Sequence, residues 1–157
     1  MAGMFYSGWY PQQWLPLREL FRVGGHAVLA RHLRYASRMS RKLSRALFHA
    51  MVRHGPKLER EQLLLGRFVD IGTELFAITA TCLRAEQLLR PTGNGTNAKD
   101  LLSLVDYFFR TSRIRIERGF RGISRNVDRG GYRLAQQVLG GGLMTLESGI
   151  VQERRQS

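Results

Sequence analysis

The stretch between Gly55-Pro56 and Arg90-Pro91 constrains this chain most. Proline disfavours helix at the residue before it and is tolerated in a first turn, so the two prolines bracket a helix over residues 57–90. Its apolar stripe is Leu65, Phe68, Gly72, Leu75, Thr79 and Cys82, widened by Leu64, Val69, Ile71, Phe76, Ile78 and Leu83. A helix apolar round most of its girth must be covered on most sides. This helix is therefore predicted to be the central one, with Phe68, Ile71, Leu75 and Phe76 buried. Gly66, Gly72, Ala77 and Ala80 leave room for neighbouring helices to approach closely.

The flanks supply those neighbours. Residues 26–53 place Leu29, Leu33, Ala36, Met39 or Ser40, Leu43, Leu47 and Met51 at spacings of three and four. The opposite face carries Arg31, Arg34, Arg38, Arg41 and Arg45 at the same spacing. After a loop at residues 91–97, Asn97 is a candidate cap for a helix over 98–122. Leu101, Leu104 or Val105, Phe108, Ser112 and Ile116 then face inward. Asn126 or Asp128 is suited to cap a fourth helix, near 128–140, ended by Gly140-Gly141-Gly142. No period-two stretch of strand length stands out. The expected fold is all-α, an antiparallel helical bundle of about four main helices. An aromatic-rich strap at residues 1–25 precedes the bundle at 26–151, and a polar tail follows at 152–157.

Charge divides the same way. The net charge is +13, but residues 54–90 carry five basic and five acidic side chains. Residues 18–53 carry nine basic and one acidic, so the arginine face sits in a strongly positive flank. Such a face can meet phosphates of nucleic acid, anionic lipid or acids of a partner chain, or stay solvated. No helix-turn-helix spacing, RNP box or basic region with a zipper supports nucleic acid. The strap holds Phe5, Tyr6, Trp9, Tyr10 and Trp14, large rings that gain by packing onto something. Trp9, Tyr10 and Trp14 are the candidate interface residues, with a partner protein, a second copy, a membrane or this chain's own bundle as the surface met.

Candidates for chemistry are few. His26, His32, His49 and His54 have no ligand-set spacing, and Cys82 is the single cysteine, which excludes an internal disulfide. Cys82 reads as a buried, inert thiol. The glycine triplet follows a helix and not a strand, so it reads as a helix breaker instead of a phosphate cradle. No apolar run is long enough to span a bilayer. A cytoplasmic chain, with peripheral attachment to a membrane as an option, is expected.

One segment is familiar. Residues 58–82, with the core Gly66-Arg67-x-x-Asp70-Ile71, resemble the C-terminal helical extension of the long- and very-long-chain type of acyl-CoA dehydrogenase. The arginine-rich region before it and the run from Tyr132 to Leu139 are similar too, so the likeness covers about residues 25–151. The resemblance implies an accessory helical domain of a fatty acid β-oxidation enzyme, one that packs on a catalytic core and supports a dimer or membrane association. The family's catalytic glutamate motif and its FAD-holding β-domain have no counterpart in these residues. The resemblance therefore assigns no catalytic, cofactor or metal residue here. It leaves two enzyme-related readings: a non-catalytic module, or part of an FAD-dependent dehydrogenase completed by another chain. A basic helical protein that binds nucleic acid or anionic lipid is the alternative outside the family.

Overall fold

A computed structural model describes residues 26–92 and 96–142. They form helices α1 (Ala27–His54), α2 (Gln62–Thr92), α3 (Thr96–Ser124) and α4 (Asp128–Leu139), with a 3₁₀ turn at Gly55–Arg60 between α1 and α2. No strand occurs among the described residues, so the fold is an all-α helical bundle. The chain divides into two compact units after Ile123, and α4 belongs to the second.

Gly55 ends α1 with φ at +52°, a conformation that costs glycine little, and Pro56 opens the 3₁₀ turn. This delays α2 to Gln62, later than the residue 57 start read from the sequence. Asn97 does not cap α3, because α3 already begins at Thr96. The N-cap of α4 is Val127, without a side-chain cap, and not Asn126 or Asp128; Asn126 Oδ1 accepts the Asp128 backbone N–H at 3.3 Å.

Helix order follows from specific contacts. A Cβ on Gly72 of α2 would lie 3.9 Å from Leu43 of α1, and the short 3₁₀ turn makes these helices antiparallel. Glu74 meets Arg115 while Ile71 approaches Gly119, so α2 and α3 are antiparallel as well. Arg31 meets Asp106 and Lys42 lies over Phe120, so α1 and α3 run parallel. One end of the bundle thus gathers the start of α1, the end of α2 and the start of α3.

The main core joins Leu29, Leu33 and Ala36 of α1, Ile71, Leu75, Ile78 and Cys82 of α2, and Val105, Phe109 and Ile116 of α3. Burying a side chain of this kind contributes about 1.5–3 kcal/mol. A smaller cluster of Ala50, Leu64 and Phe68 closes the other end. The central helix is as expected at Phe68, Ile71 and Leu75, but Phe76 is 74% exposed. It lies one helical step past Leu75, and α1 and α3 cover α2 from two sides only. Leu104 is also exposed, and the inward role at that level belongs to Val105.

Candidate functional site

The arginine face of α1 stands opposite the core. Arg31, Arg34, Arg38 and Arg45 are exposed and Arg41 is half-buried. Arg31 is committed within the fold, since its Nη2 donates to Asp106 Oδ1 at 3.1 Å. Arg34, Arg38, Arg41 and Arg45 have no carboxylate within ion-pair distance among the described residues. The later arginines differ: Arg110 pairs with Asp106 at 2.7 Å and Arg113 with Glu117 at 2.8 Å. The outer side of α1 is thus one face that remains open to an anion among the described residues. Trp9, Tyr10 and Trp14 lie outside the described residues.

Polar contacts join α1 to α3 beneath that face. His32 is fully buried, stacked on Phe109 with ring centroids 3.8 Å apart. Its Nε2 is 3.3 Å from Asp106 Oδ1, yet neither ring nitrogen makes a hydrogen bond, and the buried Tyr35 hydroxyl has no partner either. Burial lowers the His32 pKa; Asp106 opposes this, while Arg31 and Arg110 add to it. Partial desolvation raises the Asp106 pKa, but the Arg110 hydrogen bond and the surrounding positive charges outweigh it, leaving the carboxyl below its usual range. Sequence reasoning did not single out His32. The available signal was its place beside Leu29, Leu33 and Ala36 on an apolar face.

A second junction holds α2 to α3. Arg115 donates from Nε and Nη2 to the two carboxylate oxygens of Glu74, and Nη2 also donates to Ser112 Oγ at 3.1 Å. The Arg115 hydrogen bonds hold the Glu74 pKa down. Around it, Arg67, Asp70, Thr73 and Arg118 line an open polar groove of about 490 Å³. Toward the other end the groove turns apolar, with about 520 Å³ lined by Ala80, Leu88, Leu101, Leu104 and Phe108, and Arg84 as its one charged side chain.

No chemistry converges in these places. Among the described residues, no three His, Cys, Asp or Glu side chains gather as a metal site. Burial pushes the Cys82 thiol up to about 11, so it stays protonated at neutral pH. No described helix is long and apolar enough to cross a membrane.

The other prominent surface is apolar. Val69, Phe76 and Leu83 recur every seven residues along the outside of α2, and Val69 is 65% exposed. Soluble surfaces carry single exposed hydrophobics without consequence, whereas these three are aligned along one side of α2.

Comparison with known proteins agrees with the resemblance to an acyl-CoA dehydrogenase. The chain is 39% identical over 155 residues to a probable acyl-CoA dehydrogenase, FadE10, of Mycobacterium bovis. It is equally similar to the protein of that name in Mycobacterium tuberculosis. The match takes in 97% of this chain but 23% of those relatives. The chain thus matches a partial region of an acyl-CoA dehydrogenase and spans under a quarter of the relatives' length. No protein-family model matches it, and no solved structure does.

Proposed function

We propose that this chain is an accessory helical domain of an acyl-CoA dehydrogenase of fatty acid oxidation, equivalent to its C-terminal extension and non-catalytic alone. The observation that carries the reading is the exposed ridge of Val69, Phe76 and Leu83 on a helix otherwise built into the core. A catalytic body of the same enzyme would cover that ridge. Association would bury the Phe76 ring together with Val69 and Leu83, while Asp70 and Glu74 line the groove on the side of α3.

FAD supplies hydride acceptance in the family, and the described residues do not fit it. The two groove sections are walled by helix interiors, whose backbone N–H groups are spent within the helices and so cannot cradle a pyrophosphate. The purified chain should therefore carry no flavin and oxidise no acyl-CoA. A visible flavin absorbance copurifying with the isolated chain would overturn the reading. Flavin that appears only on co-expression with a catalytic chain would support the version in which a second chain completes the enzyme.

A second reading concerns Arg34, Arg38, Arg41 and Arg45, whose positive charge no described carboxylate neutralises. On this reading the outer face of α1 rests on anionic lipid, each arginine contributing about 1 kcal/mol. Flotation with anionic but not neutral liposomes, lost at high salt and weakened by glutamine at all four positions, is the expected result. A chain that stays in the soluble fraction at low salt refutes it.

A further inference from the structure

We infer that two copies of this chain pair through the outer face of α3, antiparallel about a two-fold axis at the level of residue 109. The inner face of α3 is spent on the core, where Val105, Phe109, Ser112 and Ile116 are buried. On the opposite face Leu104, Tyr107, Thr111 and Ile114 follow at spacings of three, four and three, the step of a seam between two helices. Leu104, Tyr107 and Ile114 are all more than half exposed, Tyr107 at 71%. Thr111 donates its hydroxyl to the Tyr107 carbonyl at 3.0 Å, so its hydrogen needs no acceptor from a partner. The seam is separate from the Val69–Phe76–Leu83 ridge of α2, which it leaves free for the catalytic body.

Charge selects a second copy as the occupant. The seam continues to Asp100, four residues before Leu104, and to Arg118, four residues after Ile114. Both are exposed, and neither has an ion-pair partner among the described residues. The cations beside the seam are already neutralised, Arg110 by Asp106 and Arg115 by Glu74. An antiparallel pair centred on residue 109 sets Leu104 of each copy against Ile114 of the other, Tyr107 against Thr111, and Asp100 against Arg118. Each face then meets its own complement, as a two-fold interface requires. Moving the register by four residues sets Leu104 against Arg118 in one direction and Ile114 against Asp100 in the other. Either shift presses an aliphatic side chain onto a charge. A parallel pair opposes Asp100 to Asp100 and Arg118 to Arg118, so the same two residues select the antiparallel orientation.

Sedimentation equilibrium of the full chain, combined with charge exchange, tests this. The wild-type chain should show a monomer–dimer equilibrium. Asp100→Arg and Arg118→Asp should each raise the dimer dissociation constant roughly tenfold or more, because each change places two like-charge pairs in the interface. An equimolar mixture of the two variants should recover the dimer, since each copy then offers the charge the other lacks, and both changes in one chain should recover it too. Helical circular dichroism should stay as in wild type, because both side chains face solvent. If either variant loses its helical signal, Ile114→Glu, at a position 57% exposed, takes its place and should weaken the dimer alike. A wild-type chain that is monomeric at every concentration, a dimer that these variants leave unchanged, or folded single variants whose mixture does not re-form it, overturns the inference. A dimer that needs a catalytic chain or anionic vesicles to form overturns it as well.

Discussion

His32 of α1 lies flat against Phe109 of α3, with ring planes 21° apart, and points its Nε2 toward the Asp106 carboxylate without hydrogen bonding to it. The neutral imidazole acts here as an aromatic packing element, and charging it would require desolvating a cation between Arg31 and Arg110.

That arrangement sets a pH dependence. The folded pKa of His32 is lowered below its ordinary 6.5, chiefly by burial. The unfolded chain therefore binds a proton first as pH falls. Stability from this residue is present above about pH 6.5 and is lost as pH falls toward the folded value, with a slope of at most about 1.4 kcal/mol per pH unit. Melting temperatures between pH 7.5 and 5 should fall, and His32→Phe should flatten that part of the profile. A wild-type profile level across this range would contradict it.

Two helical glycines should respond in opposite directions to alanine. A Cβ at Gly119 would sit 2.7 Å from Cγ1 of Ile71, which is itself buried in the core. Gly119→Ala should cost about 1–3 kcal/mol through overpacking, despite better helix propensity. At Gly66 nothing lies within 4 Å of an added Cβ. Gly66→Ala should stabilise by about 0.5–1 kcal/mol. Urea midpoints of the two variants give the comparison.

Glu74→Gln should loosen the junction of α2 and α3. It leaves Arg115 with a neutral acceptor, and because Arg115 is half exposed the loss should be modest, about 0.5–1 kcal/mol at neutral pH. The difference from wild type should vanish in strong acid, where Glu74, whose folded pKa is depressed, has become protonated. Denaturation at both pH values checks this.

Truncating the core and truncating the ridge should have separate consequences. Ile78→Ala removes a fully buried side chain and should cost about 2–5 kcal/mol. Phe76→Ser should leave the melting temperature of the isolated chain within a degree or two of wild type, since its ring is already in water.

Helix periodicity made most of the fold legible before any coordinates. The bounds of α1 and α4 differ from the sequence reading by a residue at each end or less, because Gly55 and the glycine triplet punctuate them. The start of α2 was less legible, since Pro56 favours a first turn without saying whether that turn is α or 3₁₀. Phe76 was misread for a different reason. A helix apolar all round demands cover, but sequence cannot say whether this chain or another supplies it. The arginine face was legible as a pattern; that Arg31 alone among its five is bound to a carboxylate required knowing that α3 brings Asp106 alongside.

The central claim, that this module completes a dehydrogenase through its α2 ridge, is tested most directly by co-elution. The chain would be mixed with a FadE10 relative truncated to remove the matched region, and the mixture run by size-exclusion chromatography. The account predicts a stoichiometric complex with wild type that Phe76→Glu abolishes while leaving the module folded. Separate elution of wild-type chain and truncated enzyme, or a complex that Phe76→Glu leaves intact, would contradict it.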